Sequence, residues 1–356
     1  GAPLLRRAEL ALVTALVAAT ATLPGCFVAR AGGRVVGSLF SSPREVVKNK
    51  QPVTPDARLA VVWVGHSTAL IQIDDKVILT DPVFTSTVGQ LSKRLVEPGL
   101  DPKDLPPVDV ALVSHMHFDH LSLGSLEMIE SKVKTLLLPR GGTAYLTGGF
   151  AFPAYELETW QAWEKDGLRV TAVPVDHVGW RYGVDEAWMT HSFTGYVIEY
   201  HGLKVYFGGD SAYDQRMFVE TGQRFPKLDL ALLPIAPIAP RGYMRRLHLD
   251  PAQAVQAFVD LDAARMVPIH YGTFVTSTDD PGDPLRELAN AQKKLDLGTR
   301  VIAPMEIGER RVFVKVGEGP ELPAAPSFPP PAPAEPAPAA PAPAPTPTIP
   351  DDDSFE

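Results

Sequence analysis

The sequence predicts a mixed α/β (α+β) domain whose strands end at a common edge, and three observations support this. Short apolar segments rich in β-branched residues recur along the middle of the chain, helix-type segments separate some of them, and segment after segment ends in a polar residue and a turn. The chain has 356 residues, of which 45% are hydrophobic, enough to bury a full core. We therefore expect one large domain over 57–316 with a tail on either side.

The predicted strands follow from alternation and composition. Alternating runs at 59–64 and 69–73 flank a glycine and predict a hairpin, and Lys76–Thr80 predicts a third strand. Later strands are predicted at 108–113, 135–138, 168–175, 194–200, 204–207, 228–233 and 265–269. Helices are predicted at 123–131 and 251–261, the second with Asp250 as its N-cap and Pro251 at its first position.

The segment after the strand 108–113 carries three histidines and a carboxylate, at His115, His117, Asp119 and His120. Alternation along an extended chain directs His115 and His117 the same way, and the following turn brings the other two residues to a second position. Imidazole nitrogens suit zinc, iron, nickel or copper, and an added carboxylate leaves positions open for water, as in a catalytic site. A polar loop with surface histidines is the alternative, but it suits a lone histidine better than this cluster.

His177, Asp210 and His270 also follow predicted strands, so we expect them at the same sheet edge. One metal would be held by His115, His117 and His177, a second by Asp119, His120 and His270, with Asp210 bridging the two. Taken singly, each histidine could instead be a core residue and Asp210 a turn residue. Asp119 is the candidate to orient the nucleophile or accept its proton.

The pattern His-x-His-x-Asp-His followed by His177, Asp210 and His270 resembles the metallo-β-lactamase fold, which implies an αββα sandwich with a dinuclear zinc site at one edge. Other segments are similar to the branch that contains N-acyl-phosphatidylethanolamine phospholipase D, and ascorbate phosphate lactonases share part of them. These segments are Trp63-Val64-Gly65-His66-Ser67-Thr68, Leu79-Thr80-Asp81-Pro82, Lys93-Arg94, Phe207-Gly208-Gly209-Asp210-Ser211-Ala212-Tyr213, Leu233-Pro234-Ile235, Pro240-Arg241, Met244, His248-Leu249-Asp250-Pro251 and His270-Tyr271-Gly272-Thr273-Phe274. The chain departs from the family at 236–241, at Ser122 and at Tyr271, where tryptophan is common.

The resemblance also implies roles for residues outside the ligand set. His248 would face the substrate and bind phosphate or protonate the leaving oxygen; otherwise it is a polar residue at a helix start. Asp81 and His66 would support metal-bound imidazoles, although a turn residue and a strand-end surface histidine are the alternatives. Arg241 could bind a phosphate or lie exposed, and Tyr271 is a candidate on the substrate side.

Composition excludes several classes of partner and site. A formal net charge of -9 argues against a nucleic-acid partner. The single cysteine, Cys26, excludes an intrachain disulfide and a cysteine zinc cage. Aromatic residues concentrate between Phe150 and Trp188, where they could line a substrate channel, touch a membrane or pack in the core. These are Phe150, Phe152, Trp160, Trp163, Trp180 and Trp188.

The N-terminal segment 1–26 predicts a lipoprotein-type signal peptide. Arg6 and Arg7 precede an apolar run that is shorter than the roughly 20 residues needed to cross a bilayer. The ending Leu23-Pro24-Gly25-Cys26 resembles a bacterial lipobox, which implies cleavage before Cys26 and a lipid on its thiol. We therefore expect an exported, membrane-anchored lipoprotein of the bacterial cell envelope; a plain secretory signal or an uncleaved anchor are the alternatives.

The segments 27–56 and 317–356 are expected to be a tether and a Pro/Ala-rich disordered tail with polyproline character. The expected function is that of a hydrolase dependent on two divalent ions, with Zn²⁺ the first candidate. It would be a phosphodiesterase acting on a phospholipid or related phosphodiester. A lactonase or carboxylic-ester hydrolase is the alternative, and a non-catalytic envelope lipoprotein that keeps the fold for binding is the alternative of another class.

Overall fold

Two seven-stranded sheets share one apolar core in the computed structural model, which describes residues 33, 37–38, 41–89, 92–147 and 149–320. Strand residues alternate between the two faces of the first sheet. Val61 and Trp63 belong to the core between the sheets, whereas Val62 and Val64 pack on its outer side. Both faces of this strand are therefore buried, which explains its continuous apolar sequence.

The first sheet is formed by the N-terminal half and one late strand. Its strands pair in the order β16-β1-β2-β3-β6-β7-β8, antiparallel from β16 to β3 and parallel from β3 to β8. A separate ribbon pairs β4 with β5. The bounds are β1 (Ala57–Gly65), β2 (Thr68–Ile73), β3 (Lys76–Thr80), β4 (Thr87–Val88), β5 (Ser92–Lys93), β6 (Val110–Leu112), β7 (Leu136–Pro139), β8 (Ala154–Leu157) and β16 (Arg310–Lys315).

The second sheet has the same sequence of pairings. Its order is β9-β10-β11-β12-β13-β14-β15, antiparallel from β9 to β12 and parallel from β12 to β15. The bounds are β9 (Ala162–Lys165), β10 (Leu168–Val173), β11 (Gly195–Tyr200), β12 (Leu203–Phe207), β13 (Leu230–Pro234), β14 (Arg265–Ile269) and β15 (Val301–Ile302).

Helices cover the outer faces of the sheets. Leu126 and Ile129 of the first helix pack on the outer side of the first sheet, and Phe218 and Phe258 of two later helices join the central cluster. This arrangement confirms the predicted αββα sandwich. The helices are α1 (Leu123–Ile129), α2 (Glu186–Met189), α3 (Gln215–Arg224), α4 (Arg241–Met244), α5 (Pro251–Asp260) and α6 (Asp283–Gln292).

The segment predicted as a tether contacts the domain over its described part. Arg44 forms a β-bridge with Val96, and the backbone N–H of Asn49 donates to Gly99 at 2.7 Å. Lys48 lies 3.1 Å from carboxylate oxygens of Glu97 and Asp101. From Arg44 onward this segment is therefore part of the domain, and only the residues before Arg44 could act as a spacer. The predicted signal peptide and residues 321–356 of the predicted tail lie outside the described residues.

No helix in the described part of the chain is long and apolar enough to span a bilayer. Of the six aromatic residues singled out between 150 and 188, two are buried, three are half-buried against the core clusters and one is exposed. Phe152 and Trp163 are buried in the two core clusters. Trp188, in contrast, is 70% exposed on α2.

Candidate metal centre

The polar residues singled out from the sequence follow strands whose ends meet at one edge of the sandwich. His66 follows β1, Asp81 follows β3 and His270 follows β14, each with a positive φ, at 55°, 33° and 64°. Non-glycine residues rarely adopt this conformation, and when they do they often mark functional sites. The left-handed turn at each strand end directs the side chain toward the edge rather than along the sheet.

The first group contains His115, His117 and His177, whose ring nitrogens converge. His115 Nε2 lies 2.8 Å from His117 Nδ1, and His177 Nε2 lies 3.4 Å from the same atom. His177 Nδ1 donates to the carbonyl of Leu247 at 2.9 Å, so that its Nε2 presents a lone pair to the group. Three imidazoles can therefore face one ion here.

The second group contains Asp119, His120 and His270. The two Nε2 atoms lie 3.2 Å apart, and Asp119 Oδ2 lies 3.8 Å from each. Asp81 is fully buried, and its Oδ2 accepts from His120 Nδ1 at 2.6 Å. This hydrogen bond fixes the tautomer of His120 and directs its Nε2 toward the group.

Asp210 lies between the two groups. Its Oδ2 is 3.1 Å from His270 Nε2 and 3.3 Å from His120 Nε2, and it is 3.9 Å from His177 Nε2 and 4.0 Å from His115 Nε2. The structure thus brings all seven predicted ligands together, with one carboxylate adjoining both groups.

Burial and neighbouring charges shift the pKa values of these side chains. Burial, together with the neighbouring histidines, holds the pKa of His115 well below its usual value, and burial does the same for His177. Burial would raise the pKa of Asp210, but its histidine neighbours, His270 first, hold it well below the usual range. Neutral imidazoles beside an ionised carboxylate are the protonation state that a metal ion requires.

The pKa of His120 shifts in the opposite direction to the pKa values of His115, His177 and Asp210. Burial lowers its pKa, but the carboxylates of Asp210, Asp119 and Asp81 outweigh burial and raise the pKa well above the usual value. Three acidic groups therefore favour a positive charge at His120 Nε2. A metal cation bound at His120 Nε2 would balance the negative charge of the same carboxylates.

Buried ligand atoms without hydrogen-bond partners also indicate that these side chains could bind a metal ion. Eleven buried side-chain atoms lack a hydrogen-bond partner among the described residues, and four of them belong to this site: Asp210 Oδ1, His117 Nε2, His248 Nδ1 and His270 Nδ1. An unsatisfied buried carboxylate oxygen is costly unless it has a partner. Groups of His and Asp side chains here have ligand atoms within 4.8 Å of one another, close enough to hold a metal ion.

Two of the supporting residues named from the sequence contact the ligands. His66 Nε2 donates to Asp119 Oδ2 at 3.0 Å, and burial lowers the pKa of His66 to about 3. His248 Nδ1 lies 3.4 Å from Asp210 Oδ2, and burial lowers its pKa to about 4. Both imidazoles are therefore neutral near pH 7.

The other two named residues face away from the ligands. Arg241 pairs with Asp250 at 2.9 Å and donates to Gln253 and to the carbonyl of His248, so its guanidinium is already engaged. Tyr271 packs on Trp63 with ring centroids 4.8 Å apart, and its hydroxyl donates to the carbonyl of Met305.

The metal groups open into a cleft of about 250 Å³. No lysine or arginine occurs among the described residues that line it. These are Val88, Ser92, His117, Asp119, Asp210, Pro237, His248, His270, Phe274, Val275 and Thr276. A second, largely apolar cavity of about 300 Å³ shares the wall formed by Phe274, Val275 and Thr276.

Sequence reasoning gave no role to Ser114 and Arg181. Ser114 Oγ lies 2.7 Å from Asp81 Oδ2 and 3.0 Å from His115 Nδ1, and so connects a supporting carboxylate with a ligand. Its position directly before His115 was the available signal. Arg181 donates to two carbonyls of the metal-binding loop, and no local pattern marks it.

Comparison with known proteins agrees with this fold. The profile described as "Beta-lactamase superfamily domain" matches residues 76–271. An uncharacterized protein of Mycobacterium tuberculosis is 33% identical over 66% of this chain, and the match spans 64% of that protein, just under two thirds of its length. An N-acyl-phosphatidylethanolamine-hydrolyzing phospholipase D of Caenorhabditis elegans is 29% identical over 71% of this chain and 76% of its own length.

A solved metallo hydrolase from the archaeon Ignicoccus hospitalis has the same fold. The TM-score is 0.53 at 22% identity, and the match covers 71% of this chain and 97% of that one. The profile match spans more than half of the chain, and the structure supplies the sandwich and the His/Asp groups at its edge. The chain therefore belongs to the metallo-β-lactamase superfamily of metal-dependent hydrolases.

Proposed function

We propose that this protein is a phosphodiesterase that acts on a phospholipid or a related phosphodiester with two divalent metal ions, zinc being the first candidate. The observation that carries the proposal is the position of Asp210 Oδ2, within 4.0 Å of ligand nitrogens from both groups. One shared carboxylate between two ligand sets is the arrangement of a two-metal hydrolytic centre.

The resident ions would supply a nucleophilic water of lowered pKa and charge stabilisation for the attacked group. The chain's own residues would orient the water, accept its proton and bind the substrate phosphate. Asp119 is held by His66 at 3.0 Å and borders the cleft, where it can accept the proton of the attacking water. His248 lines the same cleft with a pKa lowered to about 4 by burial, so a neutral imidazole would hydrogen-bond the substrate phosphate.

Two observations favour a lipid among phosphodiesters. The relative from Caenorhabditis elegans is named for hydrolysis of N-acyl-phosphatidylethanolamine and matches most of both chains. The apolar cavity beyond Phe274 adjoins the cleft and includes Leu95, Tyr271 and Pro284 in its lining. A cavity of this character can hold part of an acyl chain while the phosphate lies over the metal groups.

A lactonase or carboxylic-ester hydrolase is the second candidate, and one observation favours it. Phosphate sites usually include arginine or lysine, yet the described lining of the cleft contains neither, and Arg241 is engaged by Asp250. A neutral ester would need no such cation. The metal groups alone would then provide the positive charge in the cleft.

We also propose that a lipid on Cys26 holds the protein on the bacterial cell envelope, as the lipobox-like segment implies. Replacing Cys26 with serine should move the protein from the detergent phase to the aqueous phase after phase separation of cell extracts. Equal partitioning of the wild type and the variant would contradict the anchor.

The test of function measures metal content per chain and the hydrolysis of bis(p-nitrophenyl) phosphate and of a lactone, before and after chelation. Asp119→Ala should abolish turnover. Asp75→Ala is the control, because Asp75 lies in the turn between β2 and β3, at the far end of the strands from the metal groups.

We expect metal-dependent cleavage of the phosphodiester that zinc restores after chelation, followed by cleavage of phospholipid vesicles. Faster turnover of the lactone would assign the second candidate. Metal binding without hydrolysis of either substrate would contradict both hydrolytic assignments for these substrate classes. A wild-type protein that retains no metal would contradict the proposal as a whole.

A further inference from the structure

Arg181 is a buried arginine that contacts the metal-binding loop from behind. Its side chain is 7% exposed, and Nη1 donates to the carbonyl of Met116 at 2.8 Å and to that of Leu121 at 2.7 Å. No carboxylate lies within ion-pair distance of its guanidinium among the described residues. A buried cation without an anionic partner is costly, so these two carbonyls and the aromatic rings of Phe118 and Tyr182 are its main stabilising contacts.

The two carbonyls bracket three of the four metal ligands in the loop. Inside the loop, the N–H groups of His120 and Leu121 both donate to the carbonyl of His117, at 3.1 and 2.9 Å. These bonds close a turn at 117–121, but they do not attach the loop to the rest of the domain. Because Arg181 binds the carbonyls of Met116 and Leu121, the segment that carries His117, Asp119 and His120 lies between its two contacts.

Two further contacts restrain Arg181 itself. Its guanidinium lies over the ring of Phe118, 4.1 Å from the centroid. Asp185, 3% exposed, accepts from the backbone N–H of Arg181 at 2.8 Å and of Tyr182 at 2.7 Å, and from the hydroxyl of Tyr145. The backbone that carries Arg181 is therefore fixed independently of the metal-binding loop.

We propose that Arg181 is a positioning residue that raises the metal affinity of the site by holding the 115–121 loop in its ligand geometry. This inference rests on the metal centre of the proposed function, not on its substrate. The positive charge of Arg181 acts in the opposite direction, since a nearby cation repels metal ions. The proposal requires that the gain from loop geometry outweighs this repulsion.

Two substitutions separate geometry from charge. Arg181→Lys keeps the charge, but its shorter side chain cannot reach both carbonyls and its ammonium lacks the planar face over Phe118. Arg181→Met removes the charge as well. Arg224→Lys is the matched control, because Arg224 also lies 4.1 Å from an aromatic ring, that of Trp160, and forms an ion pair with Glu220 on the exposed face of α3.

The experiment measures zinc affinity by competition with a chromogenic chelator, the Tm of the metal-free protein, and amide hydrogen exchange over 115–121 in the metal-free protein. We expect Arg181→Lys to weaken zinc binding by about ten- to a hundredfold, the range for residues that support metal ligands. Exchange of the loop amides should accelerate in both Arg181 variants and stay unchanged in Arg224→Lys.

The readouts distinguish the possible results. If Arg181→Met fails to fold, Arg181→Lys decides the question. Zinc affinity within twofold of wild type in Arg181→Lys, or tighter zinc binding in Arg181→Met, would overturn the proposal. A fall in metal-free Tm with unchanged zinc affinity would likewise overturn it, because it would assign Arg181 a purely structural role. If phosphodiester cleavage is absent while these affinity changes occur, the proposed substrate is wrong and the positioning role stands.

Discussion

The two sheets have the same order of antiparallel and parallel pairings, but they use the carboxylates at corresponding strand ends differently. Strand β3 of the first sheet corresponds to β12 of the second, since each joins the antiparallel part to the parallel part. Asp81 directly follows β3, and Asp210 follows β12 by three residues.

At the opposite end of these strands the two halves agree closely. Asp109 precedes β6 and accepts from the N–H of Val77 in β3 at 2.8 Å. Asp229 precedes β13 and accepts from the N–H of Lys204 in β12, also at 2.8 Å. Each aspartate therefore ties the start of one strand to the start of its parallel neighbour, which is a structural role.

At the site end the roles diverge. Asp81 accepts from Ser114 N and His120 Nδ1, at 2.7 and 2.6 Å, and so holds a ligand from behind. Asp210 Oδ2 faces the ligand nitrogens, and its Oδ1 has no hydrogen-bond partner in the described part of the chain. Strand-end position therefore brings a carboxylate to the edge, while its hydrogen-bond partners decide between support and ligation.

Replacing Asp210 should have the largest effect. Asp210→Asn keeps the shape but removes the charge shared by the two groups, so we expect loss of bound metal and a fall in kcat/KM of more than about 100-fold. Metal analysis and steady-state kinetics check this. Asp229→Asn is the matched control in the same half. Full metal content in Asp210→Asn would contradict the bridging position of Asp210.

Asp81→Asn should have a smaller effect that is confined to ligand support. The amide can still accept one hydrogen bond, but it cannot stabilise the His120 tautomer as a carboxylate does. We expect metal affinity to fall by about ten- to a hundredfold. A chelator competition assay measures this, with Asp109→Asn as control. An effect as large as that of Asp210→Asn would erase the distinction drawn between the two aspartates.

His66→Gln should have the smallest effect of the three. The glutamine amide can still donate to Asp119, so we expect kcat to fall by no more than about tenfold while the metal content is retained. His201→Gln is the control, because His201 Nδ1 also contacts an aspartate, Asp74, at 2.9 Å, but at the other end of the sandwich. Loss of metal in His66→Gln would instead make His66 a ligand.

Sequence patterns predicted the buried elements and the clustering of the ligands well. The strands 76–80 and 265–269 have the predicted bounds, and α5 begins with a capping box in which Asp250 accepts from Gln253 N at 2.8 Å. These signals are local. Helix α3 was not predicted, because it is mostly polar and buries only Phe218, Thr221 and Gly222. Strand β16 was not predicted either, because its partner, β1, lies far away in the sequence.

The direction of individual side chains was harder to predict. Arg241 was a candidate for phosphate, but it binds Asp250 and Gln253, a pairing that depends on how α4 meets α5. Tyr271 follows a residue in the left-handed conformation and packs against Trp63 instead of the metal groups. Spacing identifies which residues reach an edge, whereas tertiary contacts decide where their side chains point.

The most direct test of the two-metal centre is anomalous diffraction at the zinc edge from crystals of the zinc-loaded protein. We expect two peaks roughly 3.5–4 Å apart, one among His115, His117 and His177 and the other beside Asp119, His120 and His270, with Asp210 contacting both. A single peak away from Asp210, or no peak within these groups, would contradict the two-metal centre.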